Sequence, residues 1–300
     1  MNPLLIVGHG TKDAAGVEQF LELVERVRKA ADRPVEGGFL ELSSPPIQDA
    51  VTRLAAAGTI DVVPLVLVAA GHSKGDIPAA LERERLRHPG VSFRYGRPLG
   101  PHPLLLEDLT ARLAAQVPQD RWPETAVVLV GRGATDPDAN AEVAKTARLL
   151  LEGRGIGTVE TAFISLAEPS VPQGLDRAAR LGYERIVVLP YFLFEGVLPA
   201  RIRTQTAAWA AESGRVASVA DLIGPSVNLA ALVLERAAEL GAGDIRMNCD
   251  TCMYRTLMPG FEAKVGLPQT PHDHPDDPTH SHGDHGDHGH HSHHSHPHDH

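Results

Sequence analysis

The sequence predicts an α/β fold of two homologous lobes, each a parallel sheet covered on both faces by helices. Two observations indicate this fold. Short apolar runs alternate with helical stretches along the chain, and the second half of that alternation repeats the first. Such alternation is typical of parallel sheets, whose strands are buried on both faces. The repeat further predicts a pseudo-two-fold axis between the lobes, as if a homodimer had been fused.

The first lobe contains four apolar runs, each followed by a helical stretch. The first run, LLIVG, stops at a histidine between two glycines, and the third contains VVPLVLVAAG. Short runs of this kind indicate buried strands. The predicted elements are strand 3–7, helix 15–31, strand 35–40, helix 46–57, strand 61–69, helix 77–87, strand 91–95 and helix 102–116.

A polar, Pro-rich stretch at 118–125 predicts a linker, after which the alternation begins again. We therefore expect an active lobe at 1–117, a second lobe at 126–262 and a disordered tail at 263–300. The predicted elements of the second lobe are strand 126–130, helix 138–152, strand 158–164, helix 171–181, strand 185–193, helix 199–212, strand 215–219 and helix 227–240.

Two segments of the first half align with the second half at one offset. Residues 37–58 match 161–182, and residues 99–109 match 223–233, both at an offset of 124. Two matches at one offset are hard to obtain by chance, so we interpret the lobes as duplicates. Each candidate residue of one lobe can therefore be compared with its counterpart in the other.

Three polar residues of the first lobe, His9, Glu41 and His72, follow three different predicted strands. Ligands of parallel α/β sheets lie beyond the carboxyl ends of the strands, so we expect these side chains to converge there. Two neutral imidazoles and one carboxylate can hold a divalent first-row cation with open coordination positions, and can also accept protons. The alternative is that the histidines cap loops and the glutamate is a buried acid at a helix entry.

The second lobe lacks all three of these residues. Arg132 replaces the histidine in Gly-x-Gly, Ser165 replaces the glutamate, and the loop at 193–199 is shorter and has no histidine. The joint loss favours the metal-site interpretation and predicts that the second lobe has a degenerate site.

Composition limits the class of protein. Hydrophobic residues make up 42% and charged residues 22% of the chain, which is typical of a globular protein. The net charge of −10 includes six aspartates in 271–300. The charge balance does not suggest the basic face that a nucleic-acid-binding protein normally has. The apolar runs are too short for a signal peptide or a membrane span, so we expect a cytoplasmic protein with no membrane partner.

Several spaced motifs resemble one family. GHGT, FLEL-x-x-P, AAGHSKGDIP and GPHP, together with the duplication, are similar to the sirohydrochlorin chelatases of the class II chelatase superfamily over residues 3–262. The likeness is greatest to the long, duplicated cobaltochelatases of the CbiX type. It implies two flavodoxin-like, chelatase-like lobes and a lyase that inserts Co²⁺ into sirohydrochlorin for cobalamin biosynthesis.

The resemblance also assigns residues. His9, Glu41 and His72 match the metal-handling positions, where they would hold the cation and take the protons that leave the pyrrole nitrogens. Sirohydrochlorin carries eight carboxylates, so we expect local positive groups and loop amides to bind it. The candidates are Gly10, Thr11, Lys12, Ser43, Ser44, Lys74 and Arg132.

The C-terminal region adds two further features. Cys249 and Cys252 match the M-x-C-x-x-C motif of the long cobaltochelatases, for which the resemblance implies an iron–sulfur centre; a dithiol pair and a soft metal site are the alternatives. Thirteen of the seventeen histidines lie in 271–300. We interpret that tail as a natural binder of Co²⁺, Ni²⁺ or Zn²⁺, with a purification tag as the alternative.

Two other functions remain open. The same ligands accept Fe²⁺ and Ni²⁺, so a ferrochelatase for siroheme is the alternative within the same class. A metal storage or delivery protein, in which the tail is the functional part, is the alternative from another class. We expect a monomer or a weak homodimer.

Overall fold

The computed structural model describes residues 1–243 and 262–265, all of which belong to one compact unit, Met1–Gln269. Cys249, Cys252 and residues 266–300 of the predicted tail lie outside the described residues, whereas Glu262–Lys264, at the predicted start of the tail, form a 3₁₀ turn. No helix of the described part is both long and apolar enough to cross a bilayer.

The first sheet has four parallel strands in the order β2-β1-β3-β4. Its strands are β1 (Leu4–Gly8), β2 (Val35–Phe39), β3 (Thr59–Pro64) and β4 (Ser92–Tyr95). The helices of this half are α1 (Ala14–Ala30), α2 (Ile47–Leu54), α3 (Ile77–Arg87) and α4 (Pro103–Gln116). A 3₁₀ turn at Ala55–Ala57 extends α2.

The second sheet repeats the first in the order β6-β5-β7-β8. Its strands are β5 (Thr125–Gly131), β6 (Thr158–Phe163), β7 (Arg185–Pro190) and β8 (Val216–Val219). The helices are α5 (Pro137–Leu151), α6 (Val171–Arg180), α7 (Val197–Ser213) and α8 (Val227–Ala242). The predicted fold class, two parallel α/β lobes, is therefore confirmed.

Two predicted strands end earlier in the structure, and the expected linker differs as well. Strand β3 ends at Pro64 rather than at 69 and β7 ends at Pro190 rather than at 193, because strand pairing stops there although the chain remains apolar. The expected linker is ordered and contains a 3₁₀ turn at Gln119–Glu124. Trp122 of that turn is buried and donates its indole N–H to the carbonyl of Val117 at 3.0 Å, which fixes the turn against the body.

The backbone preserves the repeat in detail. Leu42 and Leu166, which stand 124 positions apart, both adopt left-handed conformations, with φ of 61° and 58°. Leucine rarely adopts positive φ, so its occurrence at both equivalent positions reflects one loop geometry used twice.

Alternate residues of the central strands face different cores. Leu4 and Ile6 of β1 belong to a core that also contains Val127 and Leu129 of β5, whereas Leu5 packs in a separate core of the first lobe. Strands buried on both faces account for this pattern. One continuous apolar core therefore joins the two lobes.

The last helix of each half packs on the opposite half. Helix α4 lies against β7 and α5, and helix α8 lies against β3 and α1. This exchange brings the carboxyl edges of the two sheets into one body, so side chains of both lobes can line the same site.

Candidate active site

His9 lies in the loop directly after β1, and the glycines beside it have a steric role. Gly10 has a φ of +109°, and a Cβ atom there would lie 1.8 Å from the carbonyl oxygen of Glu41. Only glycine permits this approach. The amide of Glu41 in turn donates to the carbonyl of His9 at 3.0 Å, so the two loops are held side by side.

His72 begins a single turn of π-helix, His72–Asp76, that leads into α3. Such turns are rare and are frequent at functional sites. Within the turn the Nδ1 atom of His72 lies 2.7 Å from Oδ2 of Asp76, and Tyr95 of β4 donates its hydroxyl to the carbonyl of Ser73 at 2.8 Å. The turn is therefore fixed both internally and against the sheet.

The structure brings His9, Glu41 and His72 together. The Nε2 atoms of His9 and His72 are 2.9 Å apart, and the two rings are nearly perpendicular at 87°. Oε1 of Glu41 lies 3.4 Å from Nε2 of His9. Because a carboxylate can only accept a hydrogen bond, Asp76 places a proton on Nδ1 of His72 and turns the Nε2 lone pair of that ring toward His9.

The two imidazoles can exchange their hydrogen bond for a bound cation. At 2.9 Å the two Nε2 atoms are within hydrogen-bond distance, so one ring donates a proton to the other. On a first-row cation with bonds of about 2.0–2.1 Å they would stand roughly 3.0–3.4 Å apart, so a cation can replace that proton with a small movement. Across residues 1–243 and 262–265, no group of three or more His, Cys, Asp or Glu side chains is arranged to hold a metal ion.

Arg132 of the second lobe lies beside this group. Burial lowers the pKa of its guanidinium, and the negative charge of Glu41 acts in the opposite direction. Arg132 follows β5 as His9 follows β1, and a Cβ atom on Gly133 would lie 1.8 Å from the carbonyl oxygen of Ser165, as one on Gly10 would from that of Glu41. The second lobe thus keeps the loop and presents a fixed cation in place of the imidazole.

The loop amides expected to bind substrate are partly used inside the protein. The N–H of Thr11 donates to Oγ of Ser43 at 2.9 Å, and that hydroxyl donates to the carbonyl of Thr11 at 2.6 Å. The amide of Ser43 donates to the carbonyl of Glu41. Lys12 and Ser44 are exposed. The amides of Thr11 and Ser43 therefore hold the loops together, which corrects the expectation that they face a ligand.

The prediction that Lys74 binds substrate also needs correction, because its ammonium does not reach the solvent-exposed edge of the sheet. The side chain is 1% exposed, and its Nζ atom lies 2.7 Å from Oδ2 of Asp136 and 3.1 Å from Oδ2 of Asp138. A buried ammonium needs such partners, since burial of an unpaired charge is costly. The residue joins the two lobes and does not face the site as a substrate-binding group.

Sequence reasoning missed Asp76 as well as the two acids at the start of α5. Asp76 could have been found from its spacing, since residues four apart on one helical turn lie side by side. Asp136 and Asp138 gave no such signal, because their partner stands more than sixty positions earlier in the chain.

The fold and the site define a two-lobed α/β protein of the chelatase class. A family model described as CbiX matches residues 3–116 and again residues 126–240. The chain therefore belongs to the CbiX family.

Curated relatives and solved structures agree with this assignment. A sirohydrochlorin cobaltochelatase of Priestia megaterium is 38% identical over 262 residues, which cover 85% of this chain and 85% of that protein. A sirohydrochlorin ferrochelatase of Priestia megaterium is 34% identical over 208 residues, 68% of this chain and 78% of that protein. The structure of SirB from Bacillus subtilis with Fe³⁺ has a TM-score of 0.71 at 28% identity and covers 83% of this chain and 100% of SirB.

Proposed function

We propose that this protein is a sirohydrochlorin chelatase that inserts Co²⁺ into the macrocycle. The observation that carries the proposal is the 2.9 Å separation of the His9 and His72 Nε2 atoms, with Glu41 at 3.4 Å from His9. Similarity to a named sirohydrochlorin cobaltochelatase over 85% of the chain supports the substrate and the metal.

Metallation requires the cation to lose water and to exchange protein ligands for four ring nitrogens. His9 and His72 hold Co²⁺ from one side, which removes part of its water and leaves open positions for the ring. As the cation binds, His9 shifts its hydrogen from Nε2 to Nδ1, so both imidazoles stay neutral and each offers an Nε2 lone pair. Asp76 keeps the Nε2 atom of His72 available as a ligand throughout.

The ring nitrogens lose two protons as Co²⁺ enters. The imidazoles become free as the metal leaves them, so one of them can take a proton, and the carboxylate of Glu41 lies close enough to take another. The products are the metallated ring and two protons, which pass to solvent because Glu41 is exposed.

Arg132 supplies the local positive charge that an octacarboxylate requires. Its guanidinium is permanently charged, so it repels a cation and attracts a carboxylate. Its position beside Glu41 supports a role in orienting one edge of the ring over the metal. Gly10, Lys12 and Ser44 remain proposed contacts at the same edge, because their loop flanks His9 and Glu41.

The test is an anaerobic metallation assay on the full chain. The absorbance of sirohydrochlorin is followed with limiting Co²⁺, using the wild type, the double variant His9→Ala/His72→Ala and the control His88→Ala. His88 lies outside the site at the end of α3, beside Thr52. We expect wild type and control to metallate the ring at the same rate, and the double variant to fall to the uncatalysed rate.

Two results would contradict the proposal. Metallation by the double variant at the wild-type rate would remove the histidines from the mechanism. The absence of catalysis by the wild type, with metal still bound, would favour storage or delivery of metal.

Ferrochelation is the second candidate, because the ferrochelatase relative covers 68% of the chain and the ligand types accept Fe²⁺. The same assay with Fe²⁺ in place of Co²⁺ distinguishes the two activities. A higher kcat/KM for Fe²⁺ than for Co²⁺ would reassign the enzyme to siroheme formation.

Other assignments stay proposals. Cys249 and Cys252 as ligands of an iron–sulfur centre, and the histidine-rich tail as a metal reserve, concern residues outside the described ones. We further propose, from the sequence, lobe limits of 1–117 and 126–262, a cytoplasmic location and a monomeric or weakly dimeric state.

A further inference from the structure

Lys74 connects the π-turn His72–Asp76 to the opposite lobe. It lies in the same π-turn as His72 and Asp76, midway between them. Its Nζ atom is 2.7 Å from Asp136 and 3.1 Å from Asp138, and the three side chains are only 1%, 3% and 6% exposed. Because the buried ammonium cannot reach solvent, its contacts with the two aspartates hold the backbone of the π-turn at a fixed distance from α5.

The corresponding loop of the other half, residues 193–199, contains no lysine. Asp13 and Asp136 are equivalent residues that both cap a helix, but Ala15 stands where the second half has Asp138. The loop that faces Asp13 and Ala15 approaches through its backbone: a Cβ atom on Gly16 would lie 2.3 Å from the carbonyl oxygen of Glu195. Among residues 1–243, a lysine buried between two aspartates therefore lies beside the loop that carries His72 and not beside its counterpart in the other half.

We propose that Lys74 is a positioning residue for metal transfer, and that the second lobe, through Asp136 and Asp138, holds His72 in place. The inference rests on the proposed function. Outer contacts that orient metal ligands control affinity because an unheld ligand must first be ordered. A shift of the π-turn would move the Nε2 atom of His72 away from His9 while leaving both imidazoles present.

The experiment measures Co²⁺ binding and catalysis in the full chain. Co²⁺ is titrated anaerobically into wild type, Asp138→Ala and Lys74→Met, and the visible Co²⁺ bands are read as differences from His9→Ala/His72→Ala. Tail histidines are the same in every variant and cancel in the difference. Asp138→Ala introduces the residue that the first half tolerates at the equivalent position, so it decides the question if Lys74→Met does not fold.

Glu239→Gln is the matched control. Glu239 joins the lobes elsewhere, through Arg97 at 2.6 and 2.8 Å, and does not touch the π-turn. We expect Asp138→Ala and Lys74→Met to weaken Co²⁺ binding and to raise the KM for Co²⁺ by about tenfold or more, the scale typical of contacts that orient metal ligands. We expect Glu239→Gln to stay within about twofold of wild type, since it leaves those contacts in place.

Three results would overturn the inference. Folded Asp138→Ala and Lys74→Met chains with wild-type Co²⁺ bands and KM would show that the connection does not position His72. An equal loss of Co²⁺ binding in Glu239→Gln would show that weakening any contact between the lobes has this effect. If wild type itself gave no difference band, the proposed function would fail and this role with it.

Discussion

Arg112 and Arg236 stand 124 positions apart and make the same pair of hydrogen bonds, each to the opposite half of the chain. Arg112 of α4 donates to the carbonyls of Leu222 and Ile223, both at 2.9 Å. Arg236 of α8 donates to the carbonyls of Pro98 and Leu99 at 3.2 and 2.7 Å. These equivalent contacts follow the pseudo-two-fold axis, and each fixes the last helix of one half, α4 or α8, against the other half.

The two arginines differ in burial, which predicts unequal costs. Arg236 is 2% exposed and also pairs with Glu239, whereas Arg112 is half-buried. We expect Arg236→Met to lower the free energy of unfolding by roughly 3 kcal/mol, because buried carbonyls and a carboxylate lose their donor. Arg112→Met should lower the free energy of unfolding by less. Urea unfolding of both variants measures the difference, and a larger loss for Arg112→Met would contradict the reasoning.

Gly10, in the loop after β1, and Gly133, in the loop after β5, form a natural matched pair. Alanine at either position meets a carbonyl oxygen at 1.8 Å and a positive φ, so each variant should lose about 1–3 kcal/mol from backbone strain alone. Only Gly10→Ala displaces Glu41; Gly133→Ala displaces Ser165. Thermal unfolding and Co²⁺ metallation of both variants test this. Similar stability with a selective loss of activity in Gly10→Ala is expected, and equal activity losses would contradict it.

Asp76 should control the metal affinity of His72. Asp76→Ala removes the acceptor for the Nδ1 proton, and we expect the kcat/KM for Co²⁺ to fall about 10- to 100-fold. Asp76→Asn should lose less, since the amide oxygen can still accept that bond. Steady-state kinetics with Asp49→Ala, an exposed helical aspartate, provides the control. Identical rates for Asp76→Ala and wild type would exclude this role.

Acid should destabilise the protein through Asp61. Burial raises the pKa of this carboxyl, but hydrogen bonds from Arg94 and Asn2 and the charge of Arg33 outweigh it, so the pKa lies below its ordinary value of 3.8. A lowered pKa gives stability that is full above the ordinary value and is lost as the pH falls through the lowered one. The ionised carboxyl therefore stabilises the fold at neutral pH.

Urea unfolding between about pH 5 and pH 2 measures this loss as a slope of the free energy of unfolding against pH. Asp61→Asn should be less stable at neutral pH and show a shallower slope over that interval. Asp49→Asn, on the exposed face of α2, serves as the comparison. An unchanged slope in Asp61→Asn would assign the acid sensitivity to other carboxyls.

The sequence was most informative where structure is local. The order of strands and helices follows from short apolar runs and their spacing, and the structure confirms all sixteen main elements within the described residues. His9, Glu41 and His72 could be grouped in advance because parallel strands place their carboxyl ends on one edge. The end of β3 was misplaced because an apolar stretch continues past the point where pairing stops.

Contacts between the halves could not be predicted in the same way. Lys74 looked like a surface cation on a loop, yet it lies buried against acids more than sixty residues later. The loop amides at Thr11 and Ser43 looked free for a ligand but bind each other's loop.

Taken by itself, the sequence determined the duplicated α/β architecture, the replacement of His9 and Glu41 by Arg132 and Ser165 in the second lobe, and the three polar residues at the strand ends. Only the tertiary structure decided that α4 and α8 exchange lobes, that Asp76 orients His72 and that Lys74 joins that loop to α5. The reason is physical: periodicity reports which face of an element is buried, whereas the partner of a buried charge depends on which surfaces meet when the two halves pack.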